Sequence, residues 1–125
     1  MIVGVGLDLI ETARLARSLS NHGTRFEQRV YTPAEREACR DRADRIQALA
    51  ARFAAKEACL KALGTGWAGG LAFSQIEVTG RTGERPGIRL SGKAAERARE
   101  LGVRGIHVSL THQPGMAGAV VVLED

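Results

Sequence analysis

Arg52, Lys56, Glu57 and Lys61 set one carboxylate among three cations, in a stretch otherwise built from Ala, Leu, Phe and Cys. A carboxylate beside several cations is what a metal–phosphate site requires. At 3.6 residues per turn Phe53, Glu57 and Lys61 share one stripe, four residues apart. The alternative is a surface ion pair in the favoured Glu→Lys order, worth ~0.3–0.5 kcal/mol. Asp8 is a second candidate. It ends an apolar strand beside Gly4 and Gly6, where a carboxylate is costly unless paired, ligated or solvated; otherwise it starts a turn or caps the next helix. His112, beside Thr111 between two strands, is either a phosphate donor or a solvated turn residue. Arg14 and Arg17, with Arg25 and Arg29 beyond them, form either a solvated face or a docking patch for an acidic partner. Ser, His and Asp are all present, but without a nucleophile elbow no hydrolase triad is expected.

These groups need elements to hold them. Residues 2–9 read as a strand with Gly4, Gly6 and Asp8 on one face. Residues 12–19 read as a short helix stopped by Asn21-His22-Gly23. Thr32-Pro33-Ala34-Glu35 has the form of a capping box with proline at the first helical position, opening a helix over 33–41. Residues 45–63 are helical again, ending at Gly64 as a left-handed stop. A glycine-rich loop follows, then a strand near 74–79 and a short strand at 88–90. Ser91 is placed to cap a helix over 92–101 that Gly102 stops. Strands at 105–110 and 116–123 close the chain, joined by a loop holding His112, Pro114 and Gly115. The order β, helices, ββ, α, ββ predicts an α+β fold, with helices packed on a small, largely antiparallel sheet.

The totals set limits. The 125 residues suit one domain spanning 1–125. Aromatics are 4% of the chain, so the core must be aliphatic. A net charge of +4 and a pI of about 9.7 favour an anionic partner without choosing one. Gly66-Trp67-Ala68-Gly69 spells GxxG, the clamp of one RNA-binding module. That module needs a helix on both sides, and here a strand follows. Scarce aromatics also disfavour base stacking, so no nucleic-acid partner is expected. Cys39 and Cys59 form no metal-ligand pattern and read as buried thiols of a reducing compartment. With no apolar run of membrane-spanning length and no basic leader, the expectation is a cytoplasmic protein without a membrane partner.

Three segments together carry a family resemblance. Val3-Gly4-Val5-Gly6-Leu7-Asp8-Leu9, followed by Glu11 and Arg14, resembles the opening motif of the 4′-phosphopantetheinyl transferases. Phe53-Ala54-Ala55-Lys56-Glu57-Ala58-Cys59-Leu60-Lys61-Ala62, with the trailing Gly64, resembles their central signature. Val108-Ser109-Leu110-Thr111-His112, followed by Ala117 and a terminal strand, resembles the closing motif. Phe26 to Glu35, with Thr32-Pro33, fits the family's short-chain branch. One departure is Thr111, where the motif usually has serine; the hydroxyl survives.

The resemblance implies an enzyme that moves 4′-phosphopantetheine from coenzyme A to a serine hydroxyl of apo acyl carrier protein, in support of fatty acid biosynthesis. Adenosine 3′,5′-bisphosphate would be released. It implies Mg²⁺ held by Asp8 and Glu57, with Glu57 the candidate base and Lys61 offsetting phosphate charge. Arg52 and Lys56 would reach the pyrophosphate or the 3′-phosphate. Arg85 and Pro86 would meet the adenine end, and Gly64 would lead into a substrate-facing loop. His112 would bind phosphate. Arg14, Arg17 and Arg25 would dock the acidic carrier. Family members of this size are homotrimers with active sites between subunits.

Overall fold

The computed structural model describes residues 1–65, 70–81 and 83–125. Its elements are β1 (Ile2–Glu11), α1 (Thr12–Val30), α2 (Pro33–Cys39), α3 (Arg45–Leu63), a 3₁₀ turn (Phe73–Gln75), β2 (Ile76–Thr79), β3 (Gly87–Leu90), α4 (Gly92–Glu100), β4 (Gly105–Gln113) and β5 (Met116–Glu124). β1, β5 and β4 form an antiparallel sheet with β5 in the centre, and β2 pairs with β3 in a second, two-stranded antiparallel sheet. The α+β architecture is as expected.

α3 is the axis of the molecule. Thirteen of its residues are buried, from Ala48 to Leu63. A helix apolar on nearly every side belongs inside a core rather than on it. Its many alanines let neighbours approach the backbone itself. The nearest is β1: a Cβ built on Gly6 would stand 1.7 Å from the Ala58 carbonyl oxygen, and one on Gly4 2.2 Å from that of Ala62. Only glycine fits there. This contact carries the next inward residue of β1, Asp8, onto the stripe of α3 that bears Glu57 and Lys61.

The capping box forms as the sequence predicts. The Thr32 hydroxyl accepts from the Glu35 N–H, and the Glu35 carboxylate accepts from the Thr32 N–H. Gly64 is the left-handed C-cap of α3, at φ 77°.

Four local details differ from expectation. The stop at Asn21-His22-Gly23 holds, with Gly23 at φ 52°, ψ −134°, but a second helical segment follows it to Val30. Phe26 lies 6.4 Å from Phe53, centroid to centroid, and Val30 is buried. Burial of this second segment against the core favours its helix after the break. The strand expected near 74–79 begins as the 3₁₀ turn and pairs only from Ile76. Ser91 makes no side-chain cap to α4; the Gln75 side-chain oxygen accepts from the Ala94 N–H instead, at 3.3 Å. His112 is not in a loop. It pairs with Ala117 within the hairpin, which turns on Pro114 and Gly115 alone. Proline followed by a glycine at φ 86° suits so tight a turn and lets both strands run on.

Candidate active site

One cavity of about 930 Å³ opens between β1, α1, α3 and the 3₁₀ turn. Asp8, Arg14, Arg29 and Glu57 supply its polar lining; Leu15, Phe26, Phe53, Leu71 and Phe73 are among its apolar walls. Phe53 stands between the other two phenylalanines, 6.4 Å from Phe26 and 5.3 Å from Phe73. The three rings thus form one cluster in the cavity wall, Phe26 stacked on Phe53 and Phe73 tilted against it. The GxxG segment lies outside the described residues.

Asp8 and Glu57 share this cavity. Glu57 has its pKa raised above the usual carboxylate value, first by burial and then by the negative charge of Asp8, with Lys61 and Arg14 opposing. The Lys61 ammonium donates to the Leu7 carbonyl at 2.9 Å and to Asp8 Oδ1 at 3.1 Å. Two carboxylates that repel each other, in a cavity with cations at its edge, suit a hard divalent cation with oxygen ligands. These two carboxylates are oxygen donors of the kind magnesium takes.

Arg52 points elsewhere. It shares a stripe of α3 with Lys56, about 100° from that of Glu57. Arg52 is buried and donates to the carbonyls of Ala48 and Gly80, while its Nε has no partner among the described residues. It lines a second cavity, of about 630 Å³, with Arg42, Arg81, Arg85 and Pro86. Four arginines against one carboxylate, Glu84, give this opening a net positive lining, although Arg42 is paired with Asp44.

Lys56 is not at either cavity. Its side chain is fully buried, bonded to Glu35 and to the carbonyls of Phe73 and Ile76. No donor remains for a phosphate, so the cation expected beside Glu57 faces the core instead. His112 lines neither large cavity; it sits in a small pocket with Leu9, Thr111 and Met116. Arg17 and Arg25 are exposed on α1, and Gly64 is exposed at the end of α3. Arg42 and Arg81 were not singled out as site residues by sequence reasoning. Arg42 and Arg81 lie in connections without periodicity, and only the fold brings them beside Arg52.

A further feature is the outward face of the three-stranded sheet. Val5, Leu7 and Leu9 are 57%, 62% and 64% exposed, and Leu7 stands in register with Val120. An apolar row on an edge strand marks an interaction surface.

Residues 4–113 match the family model of the 4′-phosphopantetheinyl transferase superfamily. The chain belongs to that superfamily. It is 50% identical to a holo-[acyl-carrier-protein] synthase of Methylobacterium radiotolerans, over 99% of this chain and 94% of the relative. Its fold is similar to the crystal structure of holo-[acyl-carrier-protein] synthase from Neisseria meningitidis, with TM-score 0.90, 30% identity and all of both chains covered. It is also similar to the Helicobacter pylori holo-[acyl-carrier-protein] synthase in complex with coenzyme A, with TM-score 0.83 and 31% identity over 96% of this chain and 99% of that one.

Proposed function

We propose that this chain transfers 4′-phosphopantetheine from coenzyme A to a serine of apo acyl carrier protein, releasing adenosine 3′,5′-bisphosphate. The observation that carries the reading is that Asp8 and Glu57 share one cavity, with Lys61 bonded to Asp8, while a second cavity gathers four arginines. The arginine cavity takes the adenosine bisphosphate end, with Arg52 on phosphate and Arg85 and Pro86 beside the base. The other cavity takes the pantetheine arm and the carrier serine.

The serine oxygen attacks the phosphorus that carries pantetheine, and the bond from that phosphorus to the bridging pyrophosphate oxygen breaks. Glu57 receives the serine proton, as the carboxylate that shares the cavity with Asp8. Magnesium, held by Asp8 and Glu57, would neutralise the pyrophosphate as negative charge moves to the leaving group. Lys61 turns from Asp8 to the same phosphates. Arg14 lines the cavity and sits close enough to Glu57 to lower its pKa; with exposed Arg17 and Arg25 it draws in the acidic carrier. The product fits a cytoplasmic role in fatty acid biosynthesis. Among the described residues, no helix is long and apolar enough to cross a membrane.

The Lys61–Asp8 bond makes a separate prediction. Without substrate, the ammonium competes with a cation for Asp8. Lys61→Met is expected to bind Mg²⁺ about tenfold more tightly in the absence of coenzyme A, the equivalent of ~1.4 kcal/mol. The same variant is expected to lose about 100-fold in transfer rate, because a phosphate-stabilising charge is gone. Titration calorimetry and a transfer assay read the two effects. Weaker metal binding in Lys61→Met would count against this arrangement.

The exposed row Val5, Leu7, Leu9 supports a homotrimer in which each sheet packs on a neighbour and His112 serves the adjacent subunit's site. Leu7→Lys places a charge in that interface. It is expected to run as a monomer by light scattering and to lose most activity, although residues 4–6 still pack on α3. A monomer with full activity would refute the shared site.

A further inference from the structure

The buried pair Glu35–Lys56 is not used by the transfer chemistry, yet it is the most completely bonded polar group in the core. The Lys56 ammonium donates to Glu35 Oε1 at 2.6 Å, to the Phe73 carbonyl at 3.1 Å and to the Ile76 carbonyl. All three of its donors are used. Glu35 also accepts from the N–H groups of Thr32, at 2.9 Å, and Val78, at 2.8 Å. The Tyr31 ring lies 5.7 Å from the ammonium.

A buried ion pair contributes little net stability, because desolvation offsets its attraction; well-packed apolar residues often serve as well. What the pair does supply is position. It joins the start of α2, the middle of α3, both ends of the 3₁₀ turn and β2. Phe73, the first residue of the 3₁₀ turn, and the two residues before it form one wall of the cavity that contains Glu57. Lys56 pins that wall from inside, and the next residue on α3, Glu57, faces it. The separation between base and wall is thus set within one covalent step of the helix.

We propose that Glu35 and Lys56 are positioning residues for the transfer reaction, holding residues 71–73 at the distance from Glu57 that orients the pantetheine arm and the incoming serine. This rests on the transfer reading above. A wall displaced by about 1 Å would cost up to ~100-fold in rate.

The test is the double variant Glu35→Gln/Lys56→Met, in which both charges are removed at similar volume. Its thermal midpoint is expected to stay close to that of the parent. Its kcat per folded molecule is expected to fall at least ~10-fold, by a larger factor than KM for coenzyme A rises. Amide exchange at Ile76 and Val78 is expected to quicken, with α3 and β5 unchanged. A kcat equal to that of the parent overturns the proposal, as does a loss that only follows the unfolded fraction. Should the double variant not fold, isosteric Glu35→Gln is read in the same way, since a buried lysine can shed its proton. If the unaltered chain transfers no phosphopantetheine, the functional reading fails. The exchange comparison then decides the positioning claim alone, and unchanged protection at Ile76 overturns it.

Discussion

Glu57→Gln is expected to lower the transfer rate by about 1,000-fold or more and, at neutral pH, to raise the thermal midpoint. Both effects come from the same geometry. Burial and the charge of Asp8 raise the Glu57 pKa above 4.5 in the folded chain. The protonated form therefore favours folding. That contribution is complete below the unfolded pKa and is lost as pH rises through the folded one. At neutral pH the ionised side chain costs stability, and glutamine removes the cost while keeping the volume. The chemistry needs the ionised form as base and ligand. Activity of the unaltered chain should accordingly fall on acidification as Glu57 takes up its proton. A Glu57→Gln protein that is fully active would sink the site assignment, and one that is inactive but less stable would contradict the electrostatic account.

The second large effect concerns a residue without a side chain. Gly6→Ala would put a methyl group 1.7 Å from the Ala58 carbonyl oxygen, and that oxygen belongs to helix backbone that cannot turn aside. Either β1 lifts from α3 or the helix shifts. The expected cost is about 3 kcal/mol or more, at the upper end for overpacking. Any folded fraction would carry Asp8 away from Glu57. Metal affinity and transfer should therefore fall further than stability alone explains. A melting curve and a Mg²⁺ titration on the folded fraction separate the two. A Gly6→Ala chain with parental stability would show that β1 does not lie on α3 as described.

Much of this was legible in the sequence. The capping box at Thr32, the stop at Gly64, the shared stripe of Glu57 and Lys61, and the glycine face of β1 are local rules, and each holds. What local rules miss is which side of a helix becomes core. Lys56 and Arg52 stand on one stripe, yet the first is sealed against Glu35 and the second opens on a cavity, because α3 is surrounded rather than laid on a surface. The glycine at 23 spells a helix end, and only the burial of Phe26 and Val30 explains why the helix resumes. Ser91 resembles a cap, but Gln75, sixteen residues earlier, takes that place. The arginines at 42 and 81 belong to connections with no pattern to read. Each of these depends on contacts far apart in the chain.

The central claim is most directly tested by incubating the chain with apo acyl carrier protein, coenzyme A and Mg²⁺ and weighing the carrier by mass spectrometry. The account predicts a gain of one 4′-phosphopantetheine group per carrier, with an equal amount of adenosine 3′,5′-bisphosphate released. A competent carrier that gains no mass under these metal-replete conditions would contradict it.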